Sequence, residues 1–189
     1  MTSIYFVRHA QPDSTVTDDR TRPLTEEGMR DTKRVTEHLR NKQIHFLLSS
    51  PYKRSMDTIR DLAETLGMEI HTDEDLRERE IGIGYLGDPD RYIRNMWADF
   101  SFKAEGAECL AEVQERNMRA LKKILADHSD ENLVIGTHGT ALSSILCYYN
   151  PLFGVEDFFR LLNFRPYIIR LDFKGMTCVA MTEELIIER

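Results

Sequence analysis

Apolar residues fall into two patterns along the chain: short unbroken runs of strand length, and longer stretches in which they recur every three or four positions. Ser3 to Val7, "HFLLSS" (45–50), "MEIHT" (68–72) and "NLVIGT" (132–137) belong to the first kind and predict buried strands. The second kind predicts helices. Thr25 can cap a helix running to about Asn41, with Met29, Thr32, Val35, Thr36 and Leu39 on one stripe. Ser50 followed by Pro51 is a helix start; Met56, Ile59, Leu62, Ala63 and Leu66 form its stripe, and Gly67 ends it. From Ala107 to His128, the spacing of Leu110, Val113, Leu121, Ile124 and Leu125 predicts a long amphipathic helix. "HGTALSSILCYY" reads as a turn into a further helix, and shorter helices are expected near 89–100 and 155–162. "YIIRLDF" and "MTCVAMT", joined at Lys174-Gly175, predict a hairpin.

Strands alternating with helices imply an α/β protein: a three-layer α/β/α sandwich with a mostly parallel central sheet and an antiparallel edge strand. No repeat, low-complexity tract or linker interrupts the 189 residues, so residues 1–189 are expected to form a single domain.

Composition narrows the partners. A net charge of −7 argues against a nucleic-acid backbone, whose binding rests on many Lys and Arg residues, but leaves room for a local basic pocket. No segment approaches the ~18 apolar residues of a membrane span, and the first residues lack the pattern of a signal peptide. Cys109, Cys147 and Cys178 are widely spaced, without a CxxC pair, and read as reduced thiols of a cytoplasmic protein.

In an open α/β sheet, ligands bind beyond the carboxyl ends of the strands. Arg8 and His9 follow the first strand, Arg54 stands in the opening turn of the helix after "LLSS", and His138 follows "LVIGT". Two guanidinium forks match phosphate oxygens, and the first turn of a helix adds N–H donors. A neutral imidazole can attack phosphorus through one nitrogen if the other is held protonated, while a second imidazole stabilises the transferring group. A leaving alkoxide also needs a proton, for which Glu78 or Glu80 in "DLREREIG" are the candidates. Thr25, Ser49, Ser50 and Thr58 are assigned to caps and turns, Ser50 with the further option of lending an N–H or hydroxyl to the phosphate. His38, His45, His71 and His128 lack partners at metal-ligand spacing and are given core or surface roles. Tyr92, Trp97, Phe100 and Phe102, with Arg91, Arg94 and Lys103, lie in a segment at about 81–106 that is either a cap over the pocket, forming the substrate mouth, or plain packing.

These residues sit in motifs. "VRHAQ" resembles the RHG signature of the histidine phosphatase superfamily, in its phosphoglycerate-mutase-like branch. "TRPLTEEG" is similar to its LTxxG stretch, "LLSSPYKRSMDT" to SSxxxRxxxT, "LRERE" followed by "IG" to LxExxxG, and "VIGTHG" to SHG. The resemblance implies that His9 is the phosphorylated nucleophile, that Arg8, Arg54 and His138, with Gly139, bind the phosphate, and that Glu78 rather than Glu80 is the acid and base, two residues after Leu76. It implies a phosphomonoesterase acting on a small-molecule phosphomonoester without metal or cofactor, and it is compatible with a homodimer. Ala10 replaces the usual Gly, which a turn with negative φ accepts at little cost. Thr137 stands where Ser is common, and "IGYLG" replaces the usual aromatic and acidic residues after LxExxxG. The chain is too short for the basic, Pro-containing insertion of glycolytic mutases. A phosphatase is therefore favoured over the alternatives, a phosphoglycerate-type mutase and a non-catalytic phosphate-binding regulatory module.

Overall fold

The computed structural model describes residues 1–82 and 87–189. One six-stranded sheet runs through it in the order β3-β2-β4-β1-β5-β6, formed by β1 (Thr2–Arg8), β2 (Phe46–Ser49), β3 (Ile70–Thr72), β4 (Asn132–Thr137), β5 (Phe164–Lys174) and β6 (Thr177–Glu188). The first four strands are mutually parallel; β5 pairs antiparallel with β1, and β6 antiparallel with β5. The antiparallel edge is thus a hairpin of two strands, turning at Gly175 with a φ of 58°.

Helices cover both faces, as the unbroken apolar runs of β1 and β4 require. Alternation along β1 sends Tyr5 and Val7 to one side, where they meet Val35 and Leu39 of α1 (Glu26–Leu39) and Ile59 and Leu62 of α2 (Lys53–Leu66). Ile4 and Phe6 face the other side. There they pack with Leu121 and Leu125 of α4 (Leu110–Asp127), Leu142 and Ile145 of α5 (Gly139–Tyr149) and Leu161 of α6 (Val155–Leu162). A smaller cluster of Tyr92, Met96 and Leu110 joins α3 (Pro89–Ala98) to the body, with Trp97, Phe100 and Phe102 packed against it. Of the mouth segment expected at about 81–106, residues 83–86 lie outside the described ones, and the remaining aromatics are packed on one another.

Two local expectations change. Met29 is 49% exposed, so the buried face of α1 begins at Gly28 instead. The reason is contact distance: a Cβ on Gly28 would lie 2.4 Å from the Gln11 carbonyl oxygen, and only a glycine lets the helix approach the loop after β1 this closely. Thr25 caps α1 through Oγ1, accepting from the Gly28 N–H at 3.0 Å, and its own N–H donates to the same Gln11 carbonyl. Ser50, in contrast, does not cap α2. That helix starts later, with Tyr52 at its N-cap, and the Ser50 hydroxyl faces His138.

The chain leaves β1 towards α1 on one face and leaves β4 towards α5 on the other. The adjacent carboxyl ends of β1 and β4 therefore border a topological switch point, the place where open α/β sheets bind their ligands.

The Gly28 contact is testable. Gly28→Ala is expected to lower stability by about 1–3 kcal/mol, because the methyl must push the Gln11 backbone aside. Urea unfolding measures the effect, and an unchanged midpoint would show that the close approach constrains nothing.

Candidate active site

Register builds the crevice. Arg8 is paired with Thr137 across β1 and β4, and the His9 N–H donates to the Thr137 carbonyl at 3.1 Å. His9 and His138, one residue beyond that pair on each strand, are thereby brought to a ring separation of 5.3 Å with planes 60° apart. Both are buried, at 5% and 0% exposure, as are Arg8 at 2% and Arg54 at 4%.

Each imidazole has one nitrogen engaged. His9 Nδ1 lies 2.8 Å from the Ala10 carbonyl oxygen. A carbonyl only accepts, so Nδ1 carries the proton and the Nε2 lone pair is free. His138 Nε2 is 2.7 Å from Ser50 Oγ, and its Nδ1 is buried without a partner among the described residues. The loop holding His9 is pinned from α2, where Thr58 Oγ1 accepts from the Ala10 N–H at 3.0 Å and donates to the Arg54 carbonyl at 2.7 Å. Ala10 has a negative φ, since Gln43 and Asp130 are the non-glycine residues at positive φ among the described ones.

Strand alternation puts Arg8 on the side of Ile4 and Phe6, beside the end of α6. Its Nη1 donates to the carbonyls of Leu161 at 2.6 Å and Phe164 at 2.8 Å, while Nε is buried without a partner among the described residues. Gly139 opens α5 directly over this guanidinium: a Cβ there would sit 3.4 Å from Arg8 Nε. Arg54 Nη1 donates to the Asp19 carbonyl at 2.5 Å and pairs with the Asp19 carboxylate at 3.2 Å. The guanidinium also lies 5.1 Å from the ring centroid of Tyr52, whose edge meets His138.

Glu78 occupies the N-terminus of α5. Its Oε2 accepts from the Thr140 N–H at 3.0 Å and its Oε1 from the Ala141 N–H at 3.1 Å, with a further bond from the Arg79 N–H at 2.8 Å. These are the second and third amides of the helix that follows His138, so the carboxylate borders the crevice and lies within electrostatic reach of Arg8. Glu80 is exposed, and its N–H is held by Glu108.

The sequence reading omits Arg165. Because β5 runs antiparallel to β1, its first residues lie beside the carboxyl end of β1, and Arg165 comes within electrostatic reach of His9. Its guanidinium repels those of Arg8 and Arg54, Nη1 reaches Gln11 Oε1 at 3.5 Å, and Nε is buried without a partner among the described residues. The usable signal was an arginine at the start of a strand antiparallel to the first one, in "FRPYIIRLDF".

Positive charge dominates the field here. Burial and the charge of Arg165 pull the Arg8 guanidinium down to about 9, against the attraction of Glu78, with Arg54 adding to the fall; it remains cationic at neutral pH. Burial, then Arg54 and Arg8, hold His9 well below the usual imidazole range, and burial, Arg54 and His9 do the same for His138. Three guanidinium groups beside two neutral imidazoles favour a bound anion with several oxygens, the amides at the start of α5 being taken by Glu78.

A family model described as the histidine phosphatase superfamily (branch 1) matches residues 4–183. Phosphoglycerate mutase-like protein 4 of Arabidopsis thaliana is 32% identical over 159 residues, 78% of this chain and 68% of that protein. Phosphoserine phosphatase 1 of Hydrogenobacter thermophilus is 26% identical over 143 residues, 70% of this chain and 65% of that protein. Among solved structures, a mycobacterial glucosyl-3-phosphoglycerate phosphatase in complex with VO3 aligns over 99% of both chains with a TM-score of 0.78 at 19% identity. A phosphoserine phosphatase from Entamoeba histolytica aligns over 97% of both with a TM-score of 0.79 at 15% identity. The latter two likenesses carry the fold, and the family match spans nearly the whole sequence: the chain belongs to branch 1 of the histidine phosphatase superfamily.

Proposed function

We propose that the protein is a phosphomonoesterase that works through a phosphohistidine on His9 Nε2. The observation that carries this reading is the hydrogen bond between His9 Nδ1 and the Ala10 carbonyl, which fixes the tautomer with its lone pair on Nε2. In the first step Nε2 attacks phosphorus, a P–N bond forms, the P–O ester bond breaks, and Glu78 in its acid form gives its proton to the departing alkoxide. In the second, the Glu78 carboxylate takes a proton from water, the oxygen attacks phosphorus, and the P–N bond breaks to return neutral His9 and inorganic phosphate. Arg8, Arg54 and Arg165 spread their charge over the equatorial oxygens. A Ser50 hydroxyl donating to His138 Nε2 leaves Nδ1–H free to donate to the same group.

A mutase reading shares the first step. It is supported by the name of the Arabidopsis relative, and it requires the phosphohistidine to be passed to a second hydroxyl rather than to water. Release of phosphate from a panel of phosphomonoesters, set against transfer between two hydroxyls of one substrate, separates the two.

His9→Ala is expected to abolish release from an aryl phosphate and to remove the acid-labile phosphoenzyme seen on rapid quenching; full activity of that variant would end the nucleophile assignment. Glu78→Gln is expected to lose about 10² to 10⁴ in kcat/KM with alkyl phosphates and much less with a good leaving group, while breakdown of the phosphoenzyme, which needs the base, slows equally for both. A uniform loss of kcat/KM with both esters would remove Glu78 from the acid role.

Stability should also report the buried imidazoles. Both are held neutral in the folded state with depressed pKa values, whereas in the unfolded chain they titrate near 6.5. Below that pH the unfolded state binds more protons, so stability present at pH 7.5 is lost as pH falls through 6.5 towards the folded values, by up to about 1.4 kcal/mol per pH unit for each histidine. Urea midpoints at pH 7.5 and 5.5 in phosphate-free buffer, for the native chain and a His9→Asn, His138→Asn double variant, measure this. The double variant should lose most of the slope; an unchanged slope would contradict the burial of neutral rings.

A further inference from the structure

Glu78 stands in a segment with little regular structure: after a single 3₁₀ turn at Glu74–Leu76, residues 77–80 belong to no helix or strand. What holds that segment is a buried side chain from α4. Arg116 is 4% exposed, and each of its five guanidinium N–H bonds has an acceptor. Nη1 donates to the carbonyls of Asp75 at 2.9 Å and Arg77 at 2.7 Å. Nη2 donates to the carbonyl of Glu78 itself at 3.1 Å and to Glu108 Oε2 at 2.8 Å, and Nε donates to Glu108 Oε1 at 2.9 Å. Glu108 grips the same segment from the other side. Its carboxylate accepts from Arg77 Nη2 at 2.7 Å and from the Glu80 N–H at 2.9 Å, and its own N–H donates to the Glu80 carbonyl at 3.0 Å.

A buried ion pair is a poor device for stability, because the desolvation of two charges offsets much of their attraction. It is a good device for fixing a backbone, since the planar guanidinium holds three carbonyls in one geometry that a shorter or rounder cation cannot reproduce. We infer that Arg116, with Glu108, is a positioning residue that sets the Glu78 carboxyl against the leaving oxygen of the substrate. The inference rests on the reading of Glu78 as acid and base, and it adds to that reading the residues through which the carboxyl keeps its place. Arg116 and Glu108 bond to the backbone of 75–80 and to none of Arg8, His9, Arg54 or His138 among the described residues; the charge of Arg116 also reaches His138, and a lysine at 116 keeps that charge.

Arg116→Lys keeps the charge opposite Glu108 but cannot span the three carbonyls. It is expected to lower kcat/KM roughly 10- to 100-fold with alkyl phosphates, the scale of a carboxyl misplaced by about 1 Å, while leaving kcat/KM for a good aryl leaving group and the inhibition constant of inorganic phosphate within about twofold, because neither depends on the acid. In a Glu78→Gln background the same change should add nothing further to the alkyl-phosphate loss, since coupled residues are not additive. Glu108→Gln reads the same coupling by weakening the pair from its other side, and serves should Arg116→Lys not fold. Equal losses with both esters, a weakened phosphate inhibition constant, or full additivity with Glu78→Gln would each overturn the positioning role. An unimpaired Glu78→Gln enzyme would instead locate the failure in the acid assignment, so the two claims fail separately.

Discussion

Pairing of β1 with β4 is the constraint on which the crevice depends. The parallel ladder aligns Arg8 with Thr137, so the two strands end together and the next residue on each is a histidine. A slip of one residue would turn Arg8 towards α1 and α2 and carry His9 away from His138, because side chains in a strand alternate faces. The register is secured by burial on both sides: Ile4 and Phe6 belong to one core cluster, Tyr5 and Val7 to the other, and Leu133, Val134 and Ile135 of β4 divide the same way. Geometry at the site is therefore a property of the central ladder more than of the loops.

Around that ladder the protein gathers cations where a core would exclude them. Arg8 is tolerated because the Leu161 carbonyl at the end of α6 and the Phe164 carbonyl at the start of β5 both accept from it. Arg54 is met by the carbonyl and carboxylate of Asp19. Burial first, and then the remaining positive charge, keep the imidazoles neutral. The cations that would draw in an anion thus also help to keep both rings unprotonated.

Much of this was legible in the sequence because it is local. The strand runs, the caps at Thr25 and Gly67 and the motif residues Arg8, His9, Arg54, Glu78 and His138 all stand where short patterns put them, and the structure brings those five to one crevice. What escaped depends on distant pairing. Arg165 is an unremarked arginine until β5 is known to run back along β1, and Arg116 sits among solvent-facing charges of α4 until the 75–80 segment folds over it. Met29 fits the apolar stripe of α1, yet a contact with a loop fourteen or more residues earlier hands that place to Gly28. Ser50 precedes a proline as a cap would, and the bend after β2 turns it towards His138 instead.

Ala10 shows a last property of the loop after β1. Its backbone lies in a region open to every L-amino acid, while its side chain is fully enclosed and its amide is held by Thr58. The restriction at this position is thus one of volume, not of torsion. A side chain larger than a methyl group would have to find room inside a closed wall, on the very residue whose carbonyl and amide hold the imidazole and the loop in place.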